Sequence, residues 1–101
     1  MKEEHIYHLI AEEEWSEAEE TGVLEPDSLQ EEGFIHFCEK DQIETVLEFE
    51  EKPEDELVAL KLKLNEVKEN IRYENKFPHL YRKLEASEVY EAMPLEQVDF
   101  R

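Results

Sequence analysis

The side chains best suited to chemistry in this chain are ionisable groups set inside apolar runs. His8 lies in "HIYHLI" (5–10), His36 in "GFIHFC" (33–38) and His79 in "FPHLYRKL" (77–84). Burying an imidazole costs free energy unless its ring nitrogens find partners, so each is either hydrogen-bonded structure or a group that acts on a ligand. Three such residues in one small core weigh against the purely structural reading, because each ring needs its own partner. Arg72 and Glu74 alternate along one expected strand and point the same way, as a structural ion pair or as an anion clamp beside a working carboxylate. Tyr81 shares the parity of His79 and reads as half-buried packing or as part of the same site. Cys38 follows His36 by two residues, on the face expected to hold Phe34 and His36. With His8 and His79 it has the donor types of a zinc site. An H-x-C without a C-x-x-C partner is a poor ligand pattern, so no stoichiometric metal is expected.

Generic motifs are missing. There is no G-x-S-x-G, no H-E-x-x-H and no phosphate-binding glycine loop, since Gly22 and Gly33 are the only glycines. The net charge is −18, and its distribution is uneven: residues 1–51 hold eighteen acidic side chains against Lys2 and Lys40, whereas residues 52–101 hold eleven acidic and nine basic groups. Such a field repels a nucleic-acid backbone, which argues against DNA or RNA as partners. The segment 61–83 is locally basic through Lys61, Lys63, Lys68, Arg72, Lys76, Arg82 and Lys83, and a small anionic ligand is expected there. A length of 101 residues suits one domain over 1–101, and the lone Cys38 fits a reducing compartment. The start Met1-Lys2-Glu3-Glu4-His5 has no apolar stretch behind a basic one, and no run approaches a membrane span. These features set the expectation of a cytoplasmic protein without membrane contact.

The elements that must position these residues follow from periodicity. "HIYHLI" reads as a buried strand, and Ala11, Trp15 and Ala18 recur at helical spacing over about 11–20, with Gly22 as the stop. "LEPDSLQEEG" supplies turn chemistry before a strand over 34–38. Asp41 and Glu44 have capping-box spacing ahead of a helix expected over about 42–51. "ELVALKLKL" reads as a half-exposed strand, "IRYEN" as a short one, and Pro78 as a restart before "LYRKL". "VYEAM" is the last expected strand. The order is β-α-β-α-β-β-β-β, an α+β fold with mostly antiparallel pairing and two main helices. His36 is expected to face an enclosed polar cleft.

Taken together, "IYHL", Trp15, "SLQEEGFIH", Gln42, "IRYE" and "FPHLY" followed by Leu84 resemble, in order and spacing, the family called domain of unknown function 952, over about residues 5–94. The resemblance implies an ADP-ribosyltransferase-like fold, a split antiparallel sheet holding a cleft that binds NAD in true transferases. By this resemblance His8 takes the first catalytic position, His36 lies near the second and Glu74 is the candidate for the third. Arg72, His79 and Tyr81 are then the ligand-binding neighbours. The implied function is binding or transfer of NAD or an ADP-ribosyl nucleotide in a histidine-lined cleft, the alternative being a non-catalytic module for a small ligand or a protein. Two positions depart from the family pattern: Phe37, Cys38 and Glu39 replace the usual hydroxyl residues after "GFIH", and Arg82 replaces the glycine after "HLY".

Overall fold

The computed structural model describes residues 4–100, so Met1 to Glu3, where a leader was sought, lie outside the described residues. β1 (His5–Ala11) pairs antiparallel with β4 (Leu57–Lys63) along its whole length, and β8 (Glu91–Pro94) closes the far side of β4. Alternation places Ile6, Ile10, Val58, Leu60 and Leu62 on one face, against Trp15, Ile35, Phe37, Leu80 and Leu84. Tyr7, Leu57 and Ala59 face the other way and meet Cys38, Ile43, Leu95 and Val98. β4 is therefore covered on both sides, not half-exposed, and only its last lysines, Lys61 and Lys63, lie partly in solvent.

A second three-stranded sheet has β6 (Phe77–Leu80) between β3 (Ile35–His36) and β5 (Ile71–Glu74). A two-residue ribbon joins β2 (Val23–Leu24) to β7 (Leu84–Glu85). The two larger sheets are stitched by one bridge, in which Tyr7 and Cys38 exchange both backbone hydrogen bonds at 2.8 Å. This is an α+β fold of antiparallel sheets, as the patterning led one to expect. Pro78 does not restart the chain but sits inside β6, where its carbonyl accepts the Phe37 N–H at 3.0 Å. Its nitrogen, which cannot donate, points the same way as that carbonyl, toward the end of β3 where pairing stops.

The helices differ more from expectation. α1 (Glu12–Thr21) starts with three glutamates in its first turn and ends at Gly22, whose φ of 84° is the left-handed closing conformation. The stretch taken as a turn contains α2 (Asp27–Glu32), entered from Pro26 and closed by Gly33. The second helix is only α3 (Ile43–Leu47), so one main helix is present among the described residues, not two. Beyond Leu47 the bonds tighten to i→i+3 spacing and Phe49 is 82% exposed, leaving no apolar stripe to hold a further turn. The capping box is formed by Glu39 and Gln42 at the 3-10 turn Lys40–Gln42, ahead of the expected Asp41 and Glu44. α4 (Leu64–Val67) is a single turn. No helix among the described residues is long and apolar enough to cross a membrane.

Candidate functional site

The site rests on the β5–β6 hairpin. Glu74 and Phe77 face each other across a two-residue turn, Asn75-Lys76, with φ of 54° and 72°. Such a turn matches strand twist but is unfavourable for a lysine. Gln42 holds it: its Nε2 donates to the Lys76 carbonyl at 2.8 Å while its Oε1 accepts the Glu39 N–H at 2.8 Å. One side chain thus fastens the hairpin to the segment that leaves β3.

Register then aligns the chemistry. His36 lies opposite His79, and His79 lies opposite Arg72, so three strands contribute one row. Parity adds Phe34, Glu74 and Tyr81 to the same face. Phe34 is its hub, stacked on the His79 ring at 4.3 Å and 7°, with His36 at 4.9 Å and Tyr81 at 5.3 Å. His79 Nδ1 donates to Glu74 Oε2 at 3.2 Å, and the Tyr81 hydroxyl donates to the same oxygen. These two donors, the Tyr81 hydroxyl first, hold the Glu74 carboxyl below the usual carboxylate range. Glu74 in return pushes the Tyr81 phenol up. Arg72 stands 5.6 Å over the Tyr81 ring, and among the described residues no ion pair joins it to Glu74. The structural ion pair weighed for these two residues is thus replaced by a cation–π contact.

His8 approaches from the other sheet. Its Nδ1 donates to the His36 carbonyl at 2.7 Å, which selects the tautomer whose Nε2 carries the lone pair. Desolvation by burial lowers its pKa from 6.5 to about 4, so it is neutral at physiological pH. His8 and His36 line an open pocket of about 220 Å³ with Phe37, Val46 and Glu50. Arg72 and Tyr81 line another of about 330 Å³. The candidate residues are contiguous on one surface but do not share one enclosed cleft. His36 in particular is 54% exposed at its side chain, with Nε2 donating to Glu32 Oε2 at 2.8 Å, because β3 is an edge strand and this face carries no covering element. Two other pockets, of about 400 and 250 Å³, each have four acidic residues in their lining and hold none of these histidines.

Two residues of this surface escaped the sequence reading. Glu32 carries a signal in its i, i+4 spacing to His36. Phe34 shares the face of His36 by parity, and nothing in its position marks it as the hub. The basic segment divides: Lys61 and Lys63 lie over the Tyr90 ring at 5.7 and 4.5 Å, while Arg82 forms a paired contact with Glu88 at 2.8 and 2.7 Å and donates to Asn70. Arg82 thus ties β6 to the turn after β7, a structural use for the position where the family pattern has glycine. Cys38 is no substitute for a hydroxyl at the site. It leaves the face of His36, is buried among Tyr7, Ile43 and Leu57, and has its thiol pushed up to about 12, first by that burial. Among the described residues no group of three or more His, Cys, Asp or Glu is placed to hold a metal ion.

The chain belongs to the family described as proteins of unknown function, DUF952, whose model matches residues 9–92. Its fold is similar to that of protein CC0527 from Caulobacter crescentus. The crystal structure of that protein is 29% identical with a TM-score of 0.78, covering 87% of this chain and 82% of that one. The solution structure of CC0527 gives 28% identity and a TM-score of 0.77, over 89% and 83% of the two chains. No curated protein matches the sequence.

Proposed function

We propose that this surface binds NAD or another ADP-ribosyl nucleotide and acts on its ribosyl bond, within an ADP-ribosyltransferase-like arrangement of the split sheet. The observation that carries the reading is the gathering of His36, His79 and Tyr81 around Phe34, with Glu74 and Arg72 joined to them through His79 and Tyr81 and His8 reaching the His36 carbonyl from the neighbouring sheet. Each has a role that suits such a ligand. The exposed edges of Phe34 and Tyr81 offer rings for a base to stack on, and the Arg72 guanidinium suits a phosphate. His8, neutral with an outward lone pair, would accept from a ribose hydroxyl, and His36 would hold the ribose or phosphate beside it. When the bond to nicotinamide breaks, its electron pair leaves with the base, positive charge grows on the ribose, and water or another acceptor hydroxyl bonds to the vacated carbon and gives up its proton. The ionised, doubly anchored Glu74 is placed to stabilise such charge.

Saturation-transfer NMR with NAD, ADP-ribose and a small metabolite panel tests binding, and loss of NAD over time tests turnover. Arg72→Ala is expected to weaken a phosphate-bearing ligand by about 1.5 kcal/mol, the lower end for a hydrogen bond to a charged group because Arg72 is exposed. Its urea midpoint should barely move, since the side chain is exposed over the Tyr81 ring and, among the described residues, makes no ion pair. A large stability loss with unchanged affinity would remove Arg72 from the site. The alternative, a non-catalytic binding module, is favoured by the openness of the face, and binding without any turnover would select it.

A further inference from the structure

The histidines of this face divide their ring nitrogens in a way the nucleotide reading does not require. His36 gives Nε2 to Glu32, and His79 gives Nδ1 to Glu74. Each keeps its second ring nitrogen clear of any hydrogen bond among the described residues. The two are direct cross-strand partners, with ring centroids 5.4 Å apart at 78°. Two imidazoles sharing one ion at the usual metal–nitrogen length of about 2.1 Å have centroids roughly 4.5 to 5.2 Å apart, for angles from square to tetrahedral. The observed separation lies about 0.2 Å beyond that range, and the His36 side chain is exposed.

We propose that His36 and His79 form a two-histidine site for a borderline divalent transition ion of the zinc class, with Glu32 and Glu74 as outer carboxylates. A carboxylate on the far nitrogen of a ligating histidine fixes its tautomer and raises its basicity, and here both histidines have one. Imidazole pairs select such ions over magnesium or calcium, which prefer oxygen. With only two protein ligands, water completes the coordination, and the site is weaker than a closed structural zinc centre. The expectation of no metal considered His8, His36, Cys38 and His79 as an H-x-C set, whereas the register sets His36 and His79 side by side without the cysteine.

The test needs no nucleotide, so it stands or falls apart from the preceding reading. The untagged full chain is titrated with Cu²⁺, followed by electron paramagnetic resonance, and with Zn²⁺ against a chromophoric chelator. One Cu²⁺ per chain with two nitrogen ligands is expected, undisturbed by excess Mg²⁺. His36→Asn and His79→Asn should each remove one nitrogen and weaken both ions at least tenfold. Glu32→Gln should cost about tenfold, the low end for an outer carboxylate. His36 and Glu32 are exposed, so their variants keep the core, which an amide correlation spectrum verifies. An oxygen-only spectrum, or a His36→Asn titration that superimposes on the parent, would place the ion on the acidic surface and overturn the site.

Discussion

Lowering the pH from 6.5 to 4 is expected to remove about 2 to 3 kcal/mol of stability through His8 alone, and His8→Asn should abolish that part of the loss. The sign follows from where the proton binds. In the folded chain burial holds the His8 pKa at about 4, whereas an unfolded histidine keeps about 6.5. Between these values the unfolded state takes up a proton that the folded state refuses. The contribution is therefore complete above pH 6.5, falls as pH drops through the window and is exhausted below about 4. A gap of this size corresponds to roughly 3 kcal/mol, lessened by whatever water reaches a half-buried ring. The depressed carboxylates Glu74 and Glu88 also favour the folded state; their share is lost as pH falls below about 4.5, which overlaps only the lower end of the window and is common to parent and variant. Urea melts at half-unit pH steps on parent and His8→Asn chains separate the two. Parallel stability curves for both proteins between pH 6.5 and 4 would show that His8 is not desolvated.

Leu60→Ala is expected to be costlier, at about 3 to 4 kcal/mol. Leu60 is fully buried in the middle of β4, directly across the ladder from His8, with Ile6, Ile10 and Leu62 on the same face. Truncation loses transfer free energy and leaves a cavity that a strand pinned on both sides cannot collapse into. Against a total of about 5 to 15 kcal/mol for an ordinary domain, this is a large share. The urea midpoint should fall with an unchanged slope. The same cavity admits water beneath the imidazole, so the His8 pKa should climb from about 4 toward 6.5, read from its ring proton shifts. A loss below about 1 kcal/mol would mean that the two faces of β4 repack independently of the histidine.

Period-two patterning made β4 and β5 legible as strands, and β1 was legible as a buried one from apolar residues on both of its faces. It failed where a second observation was needed. β4 looked half-exposed since Ala59, Lys61 and Lys63 are not strongly apolar, yet Ala59 is fully covered by a cluster drawn from α3 and the C-terminal residues Leu95 and Val98. α2 buries no residue and so left no stripe to find. Pro78 argued against a strand by itself, and only the short reach of β3 makes it tolerable inside one. At the site, strand parity correctly grouped His79 with Tyr81 and Arg72 with Glu74, but the cross-strand register that unites the pairs is a tertiary fact. Parity sets His36 between Phe34 and Cys38, which suggests an enclosed cleft, but Cys38 turns into the core beyond β3 and the imidazole is left open.

The pairing of β1 with β4, and of β4 with β8, also sets a timetable. During synthesis at about 5 to 20 residues per second, β1 waits several seconds before β4 exists, and β4 remains open until the last strand arrives. For that interval "HIYHLIA" is an unpaired apolar strand, the kind of segment that seeds aggregation. The glutamates that follow at once, Glu12, Glu13, Glu14, Glu17, Glu19 and Glu20, act as gatekeepers for the nascent chain, on this hypothesis, which gives the acidic first half a use that no ligand site supplies. Replacing Glu17, Glu19 and Glu20, which are exposed beyond the first turn of α1, by glutamine should leave the folded chain about as stable while increasing light scattering during refolding from urea. Scattering equal to that of the parent would assign the acid to some other purpose. The β5–β6 hairpin faces no such delay. Its partners are neighbours in the chain and can meet within microseconds, so Arg72, Glu74 and His79 are gathered long before the sheet that carries His8 is complete.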